Sequence, residues 1–146
     1  TEMGYPDFSG ERELLERRAG RTAQAPSVTG VIDGQQVTEL QAAVERVTVD
    51  GKLLDYIVKL ARATRVDDRV SVGVSPRGIQ RLFEVPRATA ALERREYAVP
   101  DDVKRVVEQV FAHRIVLTAD ASVRGVDQSQ VVADVLDSVE VPAVTA

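Results

Sequence analysis

The chain of 146 residues is 44% hydrophobic and 4% aromatic, with no Trp, no Cys and a single His, and its 19 basic residues stand against 23 acidic ones for a net charge of −4. This fits one domain of ordinary size, or a domain with an attached segment, whose core is built from Val, Leu, Ile and Ala. It excludes disulfide frameworks, thiolate zinc sites, cysteine nucleophiles and any multi-histidine metal site, and the acidic balance argues against a dedicated nucleic-acid binder.

No apolar run reaches the length that a membrane-spanning helix needs, and no signal-peptide pattern opens the sequence, so a cytoplasmic protein is expected. The sequence starts with Thr1 rather than Met, and a fragment or a processed chain is expected.

Residues 9–18, SGERELLERR, read as a short polar helix with Ser9 as its cap and Glu11 and Glu13 in the first turn. Residues 19–36 hold three glycines and one proline without a clean period and read as a linker. Thr38 and Gln41 have capping-box spacing, and Leu40, Ala43, Val44 and Val47 follow as one apolar stripe. Asp50 is expected to cap a helix over roughly 51–64, whose stripe is Leu53, Ile57, Leu60, Ala61 and Thr64. Residues 65–73 read as a connection.

A third long helix starts with Ser75 as N-cap and Pro76 at the first helical position, where its missing N–H costs nothing. Ile79, Leu82, Phe83 and Ala90 line one side, and Pro86 is expected to kink or break the helix near Val85. A fourth starts at Pro100, with Asp101 and Asp102 complementing its dipole and Val103, Val106, Val107, Val110 and Phe111 as its stripe. Residues 114–119 fit a short strand, and Asp127 with Gln130 opens a last helix over about 127–138. The fold class is mainly α: five to six helices in a compact bundle, with at most a short strand or hairpin. The expected division is a linker or hinge segment with a short helix over 1–36 and a helical domain over 37–146.

Several chemistries are absent. Gly51-Lys52 is followed by Leu53, and Arg46 stands where a P-loop would have its first glycine. No G-x-G-x-x-G, H-E-x-x-H or G-x-S-x-G occurs. Nothing in the chain could hold Mg²⁺ and phosphates by itself.

What stands out is Arg77, a cation in the first turn of a helix, where the exposed N–H groups already carry partial positive charge. At 100° per residue it shares a face with Arg81 and Glu84, away from the apolar stripe. It is either a solvated arginine paired with a surface carboxylate or an anion clamp, in which a planar bidentate donor joins a helix N-terminus. Chemistry alone leaves both open.

The run ARATR…VSVGVSPRGIQRLF…REYAVPDDVKRVVEQVFAHRIVL resembles the lid domain of MoxR-type AAA+ ATPases. GYP (4–6), with Glu11 and Leu14-Leu15, is similar to the family's interdomain stretch, and DYIVKLARATR (55–65) to the helix before the loop. GVSPR (73–77) resembles sensor 2, and REYAVPDDV (95–103) and HR (113–114) resemble the closing elements. The pieces lie in the family's order and cover essentially the whole chain.

The resemblance implies that Arg77 is the sensor-2 arginine, a catalytic and nucleotide-binding residue. It would reach the γ-phosphate of ATP bound, with Mg²⁺, on a larger α/β core and couple lid angle to nucleotide state. Ser75 and Pro76 would aim it. Tyr5, near the hinge, would line the adenine pocket or serve as a packing aromatic. The implied partners are the protein's own N-terminal AAA+ core, neighbouring subunits of a ring (a hexamer) and client proteins that the ATPase remodels, among them von Willebrand-A-containing ones. No membrane, nucleic acid or metal site is implied.

Two positions depart from the family: Pro86 replaces an uninterrupted helix, and Val99 stands where a Thr N-cap is common. The sequence also lacks Walker A, Walker B, sensor 1 and the trans-acting arginine, so the segment alone is expected neither to hydrolyse ATP nor to bind nucleotide tightly. His113 and Arg114 are expected to satisfy carbonyls at a helix end, and the arginines of GERELLERRAGR to form a salt-bridged face. The rival reading is a small helical module that binds DNA or protein through Arg62, Arg65, Arg69, Arg77 and Arg81, with a helix-turn-helix over 51–64 and 75–85. Its nine-residue connection is long for that motif, and the net charge has the wrong sign.

Overall fold

The computed structural model describes residues 4–20 and 28–143. Residues 21–27 of the expected linker and 144–146 of the tail lie outside them, and residues 28–33 form neither helix nor strand. The chain divides into two compact units, Thr1–Gly34 and Gln35–Ala146.

The first unit carries α1 (Phe8–Ala19). Its cap is Asp7, not Ser9: the Asp7 carboxylate accepts from the Gly10 N–H at 2.8 Å and from the Ser9 hydroxyl at 2.9 Å. A carboxylate accepts both bonds and also meets the helix dipole, so it displaces the hydroxyl as cap. The Gly10 N–H, first, and the Ser9 hydroxyl hold the Asp7 carboxyl below its usual range. Arg12 pairs with Glu16 at 2.8 Å and Arg17 with Glu13 at 2.6 Å, both at i,i+4 spacing, which gives the expected salt-bridged face. No residue of α1 is buried.

Apart from its first residue, α2 (Gly34–Arg46) opens the second unit. The helix starts before Thr38, so the Thr38/Gln41 pattern falls inside it instead of capping it. A Gln35–Glu39 side-chain bond at 2.9 Å supports its first turn. Asp50 caps α3 (Gly51–Val66) through the Lys52 N–H at 2.7 Å, as its position predicts. All five expected stripe residues of α3 are buried, and Tyr56 with them. Among the described residues, the Tyr56 hydroxyl is the one buried side-chain polar atom without a hydrogen-bond partner.

The connection that follows holds a strand, β1 (Val70–Val72), before α4 (Pro76–Leu92). Pro86 does not break α4, which runs on to Leu92 with Pro86 itself buried. Packing on this side of the helix outweighs the ~3 kcal/mol that an interior proline costs. Its neighbour Arg87 is buried too: Nε donates to the Val47 carbonyl at 3.2 Å, and a terminal nitrogen donates to the Glu45 carbonyl at 2.6 Å and the Glu45 carboxylate at 3.0 Å. The same guanidinium lies 4.9 Å from the centre of the Phe83 ring. One arginine of α4 thus satisfies carbonyls at the end of α2. Arg87→Met keeps the stem but strands those carbonyls, and is expected to lower stability by about 2–3 kcal/mol in denaturant unfolding; a loss under ~0.5 kcal/mol would make the contact a solvated one.

After α4 come α5 (Pro100–Phe111), a 3₁₀ turn (Ala112–Arg114), β2 (Val116–Leu117), α6 (Ala119–Val123) and α7 (Gln128–Ser138). Seven α-helices are therefore present among the described residues, against five to six expected. The additional one is α6, five residues capped by the Thr118 hydroxyl. β1 and β2 pair antiparallel in one small two-stranded sheet, with an irregularity between Val70 and Val72. The core lies where α3, α4, α5 and α7 meet, around Leu53, Leu60, Leu82, Val103, Phe111 and Val131, each 0% exposed.

Asp101 and Asp102 divide the role expected of both. Asp101 is exposed and pairs with Lys104 at 3.2 Å. Asp102 is 1% exposed: its two oxygens accept from Arg95 at 2.8 and 2.6 Å, and one also accepts from the Val99 N–H at 2.9 Å. That last bond is the return half of a capping box, and the Asp102 N–H that a Thr side chain would accept goes instead to the Val99 carbonyl at 3.0 Å.

Candidate functional site

Ser75, Pro76 and Arg77 take up the geometry their order predicts. Ser75 is extended, Pro76 occupies the first helical position and Arg77 the next. The Ser75 carbonyl accepts from Gly78 N–H at 2.9 Å and from Ile79 N–H at 3.2 Å, and the Ser75 hydroxyl accepts from Gly78 N–H at 3.4 Å. Pro76 brings no N–H. The backbone therefore presents little at this end, and what it offers to solvent is the Arg77 side chain.

Arg77 is exposed and, among the described residues, takes part in no ion pair or hydrogen bond through its side chain. Its helical neighbour Arg81 pairs with Glu84. The three residues do share a face, and the Glu84 carboxylate on it is taken by Arg81. Among the described residues, Arg77 is left as a charge at the positive end of a helix without an ion-pair partner.

The turn before Arg77 is built tightly. Val74 is fully buried. Its N–H donates to the Thr64 hydroxyl at 3.0 Å, that hydroxyl donates to the Ala61 carbonyl at 2.7 Å, and the Val74 carbonyl accepts from Arg65 Nε at 2.9 Å. A Cβ on Gly73 would stand 2.6 Å from Arg65 Cγ and 2.8 Å from its Cα, and one on Gly78 would stand 2.5 Å from Val74 Cγ1 and 3.3 Å from Arg114 Cδ. Two glycines five residues apart thus let the chain pass against α3 on one side and against Arg114 on the other. The Arg114 guanidinium donates to the Val110 carbonyl and meets the ring of His113. Arg114, rather than the exposed His113, satisfies the end of α5. Sequence reasoning expected Arg114 at this helix end but missed its packing against Gly78 and the parts played by Thr64 and Arg65. The glycines at 73 and 78 flanking VSPR were the signal that the backbone is closely approached there.

The arginines named in the DNA-binding reading are mostly engaged. Arg65 holds Val74. Arg69 lies between Asp67 at 2.7 Å and Asp134, and it holds the Asp67 carboxyl below its usual range. With Arg81 on Glu84, Arg62 and Arg77 alone of the five have no partner among the described residues. Strand β1 occupies the connection, where a helix-turn-helix would have a turn of three or four residues.

Tyr5 lies in the unit Thr1–Gly34 and is exposed. No cluster of three or more potential metal ligands occurs among the described residues, and no helix there is long and apolar enough to cross a membrane.

The AAA lid domain family matches residues 62–135. The uncharacterized protein YeaC of Bacillus subtilis is 31% identical over 140 residues, which is 96% of this chain and 43% of that protein. Chaperone MoxR1 of Mycobacterium tuberculosis is 31% identical over 153 residues, 99% of this chain and 40% of its own length. The crystal structure of a candidate ATPase from Cytophaga hutchinsonii superposes with a TM-score of 0.79 at 25% identity, over 97% of this chain and 45% of that one. The chain spans less than half the length of each of these proteins.

Proposed function

We infer, for a chain that belongs to the AAA lid domain family as a lid of the MoxR type, that Arg77 is its contribution to an ATP site. The carrying observation is the unpaired, exposed Arg77 at the start of α4, held on a closely packed turn while Arg81 beside it is neutralised. A charge left uncompensated at a helix N-terminus is unfavourable by ~0.3–1 kcal/mol, and an anion bound against it reverses the sign. The anion is the γ-phosphate of ATP, bound with Mg²⁺ on an α/β core outside this chain. Arg77 binds it in the ground state and stabilises charge as the phosphoryl group departs.

Residues 1–36 serve as hinge and 37–146 as the lid that swings on it, with Tyr5 positioned to line the adenine pocket. The whole ATPase assembles as a ring, a hexamer, and couples hydrolysis to the remodelling of partner proteins, von Willebrand-A-containing ones among them. In that setting the lid angle follows nucleotide state because Arg77 gains a partner only when the γ-phosphate is present.

Nucleotide discrimination tests this. In the longer protein that contains this segment, Arg77→Ala should weaken ATP binding relative to ADP by about tenfold, the equivalent of one charge-assisted hydrogen bond. Arg81→Ala should leave the ATP/ADP ratio as it is. Equal losses for ATP and ADP would place Arg77 away from the γ-phosphate.

A further inference from the structure

We propose that Thr64 and Arg65, consecutive residues at the end of α3, are positioning residues for Arg77; this rests on the role of Arg77 at the γ-phosphate. Val74 is the last residue before the N-cap of α4, and both of its backbone groups are held by side chains of another helix. The Thr64 hydroxyl accepts from the Val74 N–H and donates its own hydrogen bond to the Ala61 carbonyl, so it has one orientation. Arg65 donates Nε to the carbonyl. Buried backbone groups need partners, but a loop or a strand neighbour would ordinarily supply them. Here the partners are α3 side chains, so the start of α4 moves only as α3 moves.

Packing closes the same joint. Val74 is 0% exposed, and Gly73 lies so close to Arg65 that no Cβ fits between them. Arg77 is three residues on. A guanidinium at the tip of a long side chain amplifies any rotation of the turn that carries it, and a misplacement of ~1 Å at a reacting group costs on the order of a hundredfold in rate. Thr64 and Arg65 never touch the nucleotide in this account. They set where Arg77 points.

The test uses the longer ATPase and this chain together. Thr64→Val keeps shape and removes the hydroxyl, Arg65→Met keeps the stem and removes Nε, and Thr64→Ser restores the hydroxyl. We expect kcat to fall about tenfold or more in the first two with KM within about twofold, and Thr64→Ser to return most of the rate. Either change combined with Arg77→Ala should be no slower than Arg77→Ala alone, because an arginine that is absent cannot be misplaced. Factors that multiply in the double variants, or Val and Ser variants that behave alike, would overturn the proposal.

Amide exchange in this chain gives a second readout, with thermal unfolding to show that the variants are folded. Thr64→Val and Arg65→Met should speed exchange at Gly78 and Ile79 selectively. Unchanged exchange there would overturn the latch whatever turnover does. Faster exchange in a protein whose turnover is indifferent to Arg77→Ala would instead overturn the Arg77 reading and the positioning role with it, leaving a structural joint.

Discussion

Arg95→Ala is expected to lower the folding stability of this chain by about 3–5 kcal/mol in denaturant unfolding. The size follows from what remains. Asp102 is 1% exposed, and without Arg95 its carboxylate keeps a single donor, the Val99 N–H. A buried charge stripped of its counter-ion cannot recover hydration, which is why breaking such a pair costs far more than the intact pair contributes. The Tyr97 carbonyl loses its Arg95 bond as well.

Asp102→Ala should cost less, since Arg95 retains 23% of its side-chain exposure and a second partner in Glu93. The asymmetry is the diagnostic. Adding Asp102→Asn to Arg95→Ala should recover part of the loss, because it removes the stranded charge while an amide oxygen still accepts from Val99. A loss below ~1 kcal/mol for Arg95→Ala would rank this pair with exposed ones. The consequence reaches beyond stability, because the pair ties the segment after α4 to the start of α5, against which α4 packs. The end of the helix that carries Arg77 is anchored there.

Local signals carried the sequence reading where the chemistry is local. Asp50, and Ser75 with Pro76, gave the starts of α3 and α4 because capping and a missing N–H act within one turn. The stripe of α3 was legible but for Tyr56, because the helix is buried along one continuous face. Thr38 misled, since a capping residue inside a helix looks the same in sequence as one at its end. That Pro86 does not break α4 was not legible, because the cost of an interior proline is fixed while the packing around it depends on distant residues. Five residues of α6 are too few for a period to register.

Long-range pairings were out of reach. Arg87 meets Glu45 across 42 positions, and Asp102 reads as an ordinary first-turn acid until Arg95 is seen to enclose it. The candidate site shows the same division. The likeness of GVSPR to sensor 2 located Arg77. That it has no ion-pair partner among the described residues, with Arg81 on Glu84, and the holding of Val74 by Thr64 and Arg65 required the fold.

The central claim is that Arg77 acts on the γ-phosphate, and turnover tests it most directly. ATP hydrolysis by the longer protein containing this segment is measured at saturating ATP for wild type, Arg77→Ala and Arg81→Ala, with each variant's unfolding midpoint alongside. Saturation removes the weaker binding, so what remains is the loss of charge stabilisation in the transition state. The account predicts that Arg77→Ala lowers turnover about a hundredfold or more, while Arg81→Ala stays within about twofold and both remain folded. Equal turnover in all three proteins would make Arg77 a solvated surface residue and leave the lid without the catalytic part assigned to it.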